Sequence, residues 1–340
     1  MKVVRHARFG PPADVLHLAE EDIGAPGPDE VVIAIEATPI HAGDLKNIEG
    51  EPIMVRHVEP GEDLVVSLPQ VPGIEGVGRV VAVGSSVTEV SEGQRVFLPI
   101  QCGSWRERIR VKAAEIYPAP EGDPIQLALL VNALTAELAL TDIVPLQSGD
   151  WILQNCANSN VGRALIPLAR RRGIRTINVV RRREAIAELE RLGGDVVLED
   201  GPDLAARVAK ATKGQSITLA LDGVAGDATG RLAECLSDSG TLANYGLMSG
   251  QPCKIPSWIL LYRNIVLRGY YMGFSRRRRS HEQQCALFED LGNLIVDGTI
   301  SAKIAATYPL NAFREAVLHA ARSGQDRNGR VVLEPPRHRA

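Results

Sequence analysis

Along the first 125 residues the apolar positions fall in short runs such as EVVIAIEA (30–37) and GVGRVVAVG (76–84), punctuated by Gly and Pro clusters. Runs of that length between turn residues read as strands, so a barrel-like or sandwich domain is expected here. Beyond residue 125 the pattern changes. DWILQN (150–155), RTINVV (175–180), DVVL (195–198), ITLALD (217–222) and GTLANYG (240–246) are buried-strand runs, and helical patterns separate most of them. Strands alternating with helices predict a parallel sheet covered on both faces. After Tyr271, the stretch SRRRRSHEQQCALFEDLGNLIVDG (275–298) predicts a helix with Ser280 and Gln283 as its capping box and Gly298 as its stop. RVVLEP (330–335) reads as a closing strand. With β units at both ends and an α/β block between them, one domain is expected to be inserted into the other.

Length and charge narrow the classes. The 340 residues suffice for two cores, since single cores stop growing at roughly 250–300 residues. Apolar residues make up 45% and charged residues 23%, the balance of a globular protein and not of a disordered or fibrous one. A net charge of −3 leaves no global field to attract nucleic acid or an anionic membrane. No apolar run approaches the roughly 20 residues that a bilayer span needs. Neither partner is expected, and the short apolar run in MKVVRHARFG predicts a cytoplasmic protein. Cys102, Cys156, Cys235, Cys253 and Cys285 are scattered singly, without a C-x-x-C pair, which suits buried free thiols better than a metal site.

The segment QNCANSNVGRAL (154–165) lies where a strand turns into a helix. A dinucleotide-binding turn must present backbone N–H groups and a helix N-terminus to a pyrophosphate. Gly162 is the only glycine, and Asn tolerates the left-handed region best among other residues. Asn158 and Asn160 are therefore expected to stand in for glycine, with Val161 and Gly162 opening the helix. About 20 residues on, where such folds select the ribose substituent, the chain reads Arg181, Arg182, Arg183. Three cations at a helix start oppose its dipole unless an anion sits there, which points to NADPH. A solvated basic face offset by Glu184 and Glu188 is the plainer alternative.

On PGIEGVGRVVAVGSSV, GSWRE, VNALTAEL, the whole stretch 148–183, YGLMSGQP and LRGYYMG, the chain resembles the zinc-independent medium-chain dehydrogenase/reductase superfamily. It is most similar to the mitochondrial-type trans-2-enoyl-CoA (acyl-carrier-protein) reductases. The resemblance runs to residue 333 and implies an α/β protein. A GroES-like β-barrel catalytic domain (1–124 and 268–340) would hold an inserted Rossmann doubly wound parallel sheet domain (125–267). It further implies an NADPH-dependent homodimer, with WILLYRNIVLRGYY (258–271) at the contact. By the same likeness Thr135, Tyr245, Met248, Tyr270, Met272 and Arg330 line the cofactor, with Gly246 beside them. Trp105 and Tyr271 would line the substrate pocket. The zinc-ligand positions of the superfamily read His41, Ile74 and Asn155, so no catalytic metal is expected.

The family's I-N-P-S-D followed by G-N-Y supplies a tyrosine proton donor. Here the text is IHAGDLKNIEGEP, with Pro52 where the tyrosine would be. His41 is the candidate replacement, since histidine titrates nearest neutral pH, with Asp44 to orient it. Both could equally shape the pocket and cap a helix. Asn132 is expected to stabilise a developing enolate oxygen. The segment 51–71, with His57, Glu59, Glu62 and Asp63, reads as a lid or a surface elaboration. The run Arg276–Arg279 suits an anionic tail of coenzyme A or acyl-carrier phosphopantetheine, or is a solvated basic loop. The expected activity is hydride transfer from NADPH to the C=C of an α,β-unsaturated carbonyl compound or enoyl thioester. A quinone or carbonyl reductase and a non-catalytic NADPH sensor are the alternatives.

Overall fold

The computed structural model describes residues 1–50, 68–322 and 328–336. The candidate lid residues His57, Glu59, Glu62 and Asp63, and Pro52, lie outside the described residues. The chain divides into two compact units: residues 1–131, 281–298 and 302–340, and residues 132–280 with 299–301.

The first unit opens with β1 (Lys2–Arg5), β2 (His17–Glu20) and the ten-residue β3 (Glu30–Pro39), followed by β4 (Val77–Val83), β5 (Arg95–Phe97), β6 (Arg108–Lys112) and β7 (Tyr117–Pro118). β3 organises the sheet because it pairs antiparallel with both β4 and β6 along Val31–Ala34. Its alternate residues Val31, Ile33 and Ile35 enter one core with Val80, Val96, Leu98, Ile109 and Ile116. This is the period-two burial of a strand with one face inward.

The second unit carries β8 (Trp151–Gln154), β9 (Arg175–Val180), β10 (Val196–Glu199), β11 (Ile217–Asp222), β12 (Thr241–Asn244) and β13 (Val266–Gly269). All pairings are parallel, in the order β10-β9-β8-β11-β12-β13. The order reverses between β8 and β11, so their carboxyl ends flank the crevice where doubly wound folds bind nucleotides. Leu153, Ile177, Val179, Ala220 and Leu242 form the core with residues of the covering helices, among them Val208 and Leu232. Such strands read as continuous apolar runs because both faces are covered.

The chain returns through the helix His281–Val296, stopped by Gly298 at φ +79°, and ends with β14 (Ile304–Pro309) and β15 (Arg330–Glu334). β15 pairs with β3 through Val332–Pro39 and Leu333–Thr38, completing a seven-stranded sheet. The two termini of the chain thus build one unit, with the parallel sheet between them in sequence. The return falls at His281, later than the expected 268, because β13 pairs with β12 and keeps residues 266–280 in the second unit.

The helix Asn160–Arg171 starts directly after the β8 turn and runs through Pro167. It approaches so closely that a Cβ on Gly162 would lie 2.6 Å from the Ala157 carbonyl oxygen and 2.7 Å from its Cα. Backbone cannot yield as a side chain can, so Gly162→Ala is expected to destabilise the second unit by about 1–3 kcal/mol. Scanning calorimetry checks this; an unchanged midpoint would show that the turn relaxes freely.

Candidate active site

In the second unit the turn after β8 is built by hydrogen bonds. Asn155 donates from Nδ2 to Asp222 Oδ1 at 2.6 Å and accepts the Gly223 N–H at 2.8 Å, tying β8 to β11 at the switch point. The left-handed residue is Cys156, at φ +53°. Asn158 and Asn160, expected to replace glycine, do not have positive φ; Asn160 is instead the first helical residue. The correction follows from Ser159, which caps the helix by accepting the Gly162 N–H at 3.2 Å and so fixes Asn160 as helical. The helix N-terminus beside the sheet's carboxyl edge remains suited to a phosphate.

Arg181, Arg182 and Arg183 follow the end of β9. Glu188, one of the two acids that could offset them, is held by Arg163 at 2.6 Å. Among the described residues none of the three arginines forms an ion pair. Arg181 lines a cavity of about 950 Å³, on whose wall Arg231 is paired with Asp200 and Lys254 with Asp227. That volume suits a whole small-molecule ligand.

Tyr245 follows β12; its hydroxyl would lie 2.9 Å from a Cβ on Gly223, so the ring closes over the β11 turn. Burial pushes that hydroxyl's pKa up. Met248 is exposed, with its sulfur 3.1 Å from Cys156 Sγ. Tyr270 is buried and donates to the Thr135 carbonyl at 2.9 Å, and burial raises its pKa as well. Met272 and Asn132 are buried, whereas Tyr271 borders a second cavity of about 270 Å³.

In the first unit His41 precedes the helix Ala42–Glu49. Its Nε2 lies 2.6 Å from Glu75 Oε1, and the other Glu75 oxygen accepts the Val131 N–H at 2.7 Å. The Glu75 carbonyl accepts from the Thr38 and Ser104 hydroxyls at 2.9 and 2.7 Å. His41 and Glu75 side chains are 12% and 5% exposed, so the pair is shielded yet reachable through the histidine.

Asp44, expected to orient the His41 ring, instead binds backbone. Oδ2 accepts the His41 N–H at 2.8 Å and Oδ1 the Gly73 N–H at 3.2 Å. It caps the helix because it stands at the third helical position, where a carboxylate reaches back to the N-cap. Arg330 opens β15 and donates to the Ile40 carbonyl at 3.1 Å, bracing the strand end before His41. Trp105, expected in the substrate pocket, is fully buried in the core with Val4, Leu45, Leu310 and Phe313. Gly73 permits this, since a Cβ there would lie 2.8 Å from Trp105 Cδ1.

Sequence reasoning missed Glu75 as the histidine's partner. Its signal was an acid inside the otherwise apolar PGIEGVG, a residue type that is seldom buried without a partner. Of the zinc-ligand positions, Ile74 offers only hydrocarbon and the Asn155 amide is committed to Asp222 and Gly223. The donor set does not fit a catalytic zinc.

A mostly antiparallel unit built from both chain ends, with a 3-2-1-4-5-6 parallel sheet between them in sequence, defines a medium-chain dehydrogenase/reductase. Residues 27–121 match the alcohol dehydrogenase GroES-like domain family and residues 160–288 the zinc-binding dehydrogenase family. The mitochondrial enoyl-[acyl-carrier-protein] reductase of Dictyostelium discoideum is 32% identical, covering 97% of this chain and 94% of that protein. Among solved structures, a Bacillus thuringiensis protein assigned as an NADPH:quinone reductase superposes with a TM-score of 0.86 at 27% identity, covering 98% of each chain. A mycobacterial protein complexed with NADPH gives 0.79 at 27%, covering 98% of this chain and 100% of that one. The chain belongs to the enoyl-[acyl-carrier-protein] reductase family of the medium-chain dehydrogenase/reductases. No helix among the described residues is long and apolar enough to cross a membrane.

Burial raises the Asp44 pKa to about 6, against the opposing pull of His41, two backbone N–H groups and Arg330. The folded state therefore holds this proton more tightly than the unfolded chain does. Stability from the protonated carboxyl is fully present below about pH 4 and is lost as pH rises through 6. Relative to Asp44→Asn, the protein is expected to lose about 3 kcal/mol between those limits. Denaturant titrations of both proteins across pH 4–7 check this, and parallel pH profiles would refute it.

Proposed function

We infer that this protein is an NADPH-dependent, zinc-independent reductase acting on the activated C=C of an α,β-unsaturated carbonyl compound, most specifically an enoyl thioester. The observation that carries the cofactor is the group of Arg181, Arg182 and Arg183, without carboxylate partners, at the end of β9 beside a phosphate-ready turn. Gly162 gives that turn its close approach, and Ser159 leaves the first backbone N–H groups of the helix in register. The names of the relatives support the reaction class.

When bound, NADPH would supply a hydride to the β-carbon of the substrate, whose π pair would shift onto the carbonyl as an enolate. That enolate needs hydrogen-bond donors and then a proton at its α-carbon. His41 supplies the proton, directly or through one water. Its Nε2 is anchored on Glu75. The carboxylate fixes the ring. Asn132, near the start of the helix Leu130–Asp142, serves as a donor to the enolate oxygen. Quinone reduction is the second reading, favoured by the name of one structural neighbour.

We further propose a homodimer formed along the edge strand β13. All four of its residues are exposed, and Leu261, Tyr262 and Trp258 nearby are 73%, 84% and 50% exposed. An open apolar strand edge invites pairing with a second copy. Light scattering should give about twice the 36.7 kDa chain mass, and Leu267→Asp should shift it toward one chain.

The purified protein should oxidise NADPH in the presence of a trans-2-enoyl-CoA, much faster than NADH. His41→Ala should lower kcat by about 10²-fold or more, the range for losing a general acid, with the NADPH Kd unchanged. Turnover of quinones but not enoyl thioesters would select the second reading. Tight NADPH binding without any turnover would identify a sensor.

A further inference from the structure

Two buried acids stand beside the His41 loop, and they do different work. Asp44 receives the His41 backbone N–H on Oδ2 and the Gly73 N–H on Oδ1. The imidazole itself falls to Glu75, whose Oε1 stands 2.6 Å from Nε2. The loop that carries Glu75 has no slack. A Cβ on Gly73, at φ +120°, would lie 2.5 Å from the Ser104 nitrogen, and one on Gly76 would lie 2.9 Å from the Ala37 carbonyl oxygen. Backbone on both sides of Glu75 therefore packs directly on its neighbours, and the carboxylate starts from a fixed point.

The second carboxylate oxygen decides where the proton of the ring must be. Oε2 accepts the Val131 N–H at 2.7 Å. Val131 is the second residue of the helix Leu130–Asp142, and the first four N–H groups of a helix have no carbonyl partner within it. Such a backbone donor cannot be turned round, so Oε2 can only accept. Glu75 is 4% exposed, and a carboxylate so buried is tolerated only when both oxygens are hydrogen-bonded. Val131 fills one oxygen. The ring must fill the other by donating from Nε2, because an ionised carboxylate accepts and does not donate.

We propose that Glu75 is a positioning residue that holds a proton on His41 Nε2 and thereby makes Nδ1 the nitrogen that serves the substrate. The role of Nδ1 rests on the reductase reading above; the place of the proton rests on the hydrogen bonds alone. In the step itself the ring begins with protons on both nitrogens. The Nδ1–H bond breaks, its electron pair stays on Nδ1, and the proton joins the α-carbon on the electron pair of the enolate, directly or through one water. The ring is left neutral, with its remaining proton on Nε2 against Glu75. That contact is the same before and after the transfer, so nothing behind the ring has to reorganise. An acid behind an imidazole selects its tautomer in this way.

Glu75→Gln tests the assignment because an amide is not symmetric. Its oxygen must face the Val131 N–H, which turns its NH2 group toward His41 Nε2 and requires that nitrogen to accept. Long-range 1H–15N spectra of the full chain labelled in histidine read which ring nitrogen is protonated. The signals lost in His41→Ala identify His41 among the seven histidines. Nε2 is expected to carry a proton in the unaltered protein and to lack one in E75Q. With NADPH and a trans-2-enoyl-CoA, kcat of E75Q should fall by about 10²-fold or more, the range for losing a general acid, with KM and the NADPH Kd unchanged. Since the two residues act as one unit, H41A/E75Q should lose no more than H41A alone.

A bare Nε2 in the unaltered protein would overturn the proposal, even if E75Q did not fold. Full kcat in E75Q would overturn it too, as would a double variant slower than H41A. If Nε2 is protonated as expected but the unaltered protein turns over no thioester or enone, the reductase reading fails and takes the role of Nδ1 with it, while the tautomer set by Glu75 stands.

Discussion

The nucleotide-binding end of the parallel sheet depends on one buried carboxylate. Asp222 closes β11 with no exposure to solvent. Its Oδ1 accepts from Asn155 Nδ2 and from the N–H groups of Val224 and Ala225, and its Oδ2 from Thr229 Oγ1 at 2.6 Å. A buried charge is tolerated only when its hydrogen-bonding capacity is filled. Filling it fixes three elements at once: the β8 turn through Asn155, the β11 turn through residues 224 and 225, and the helix Asp227–Cys235 through Thr229. The strained conformations nearby, φ +53° at Cys156 and +63° at Ala225, persist because this network over-determines the backbone. The crevice at the switch point is therefore set before any ligand arrives.

Glu75 plays the corresponding part in the first unit, with a chemical difference. Its side chain receives one backbone N–H and one histidine nitrogen, so part of its charge is answered by a group that can itself gain or lose a proton. Thr38 and Ser104, which are 2.6 Å apart, grip its carbonyl and fix the backbone from which the carboxylate extends. The ring of His41 is thus positioned from the far side. Asp44 and Arg330 hold the backbone on which it sits. A tyrosine lost from its usual place need not end the proton chemistry when an imidazole is supported in this way.

The architecture was legible because it rests on periodicity. The parallel strands were read from apolar runs between helical patterns, and burial on both faces is what makes such runs continuous. β14 left no comparable trace, since its residues are only partly buried. The return to the first unit comes later than the expected 268 because VLRG is too short and exposed a run to announce membership in the parallel sheet; its hydrogen bonds to β12 decide that. Positions in the candidate site were legible where the structural constraint is local. The arginines stand at a fixed distance from the turn, and Gly162 answers to its nearest neighbour in the fold. The partnership of His41 with Glu75 joins residues 34 apart through a loop, and no spacing rule announces it. Asn158 looked like the natural left-handed residue by propensity, but tertiary hydrogen bonds imposed that conformation on Cys156.

Charge distribution connects the two levels. With 38 basic and 41 acidic side chains, the chain has an acid for every cation, and several cations are paired. Arg95 is paired with Glu36, Arg79 with Glu121, Arg231 with Asp200 and Arg263 with Asp238. By contrast, Arg181–Arg183 after β9, and Arg268 in β13 with Arg277 and Arg278 beyond it, form no ion pair among the described residues. Exposed ion pairs add little stability, so their absence at these two places costs the fold little. What it preserves is positive potential at short range, undiminished by an internal counter-ion. A protein of net negative charge that leaves Arg181, Arg182 and Arg183 without a carboxylate partner at the end of β9 keeps a local positive field where a phosphorylated ligand can bind favourably.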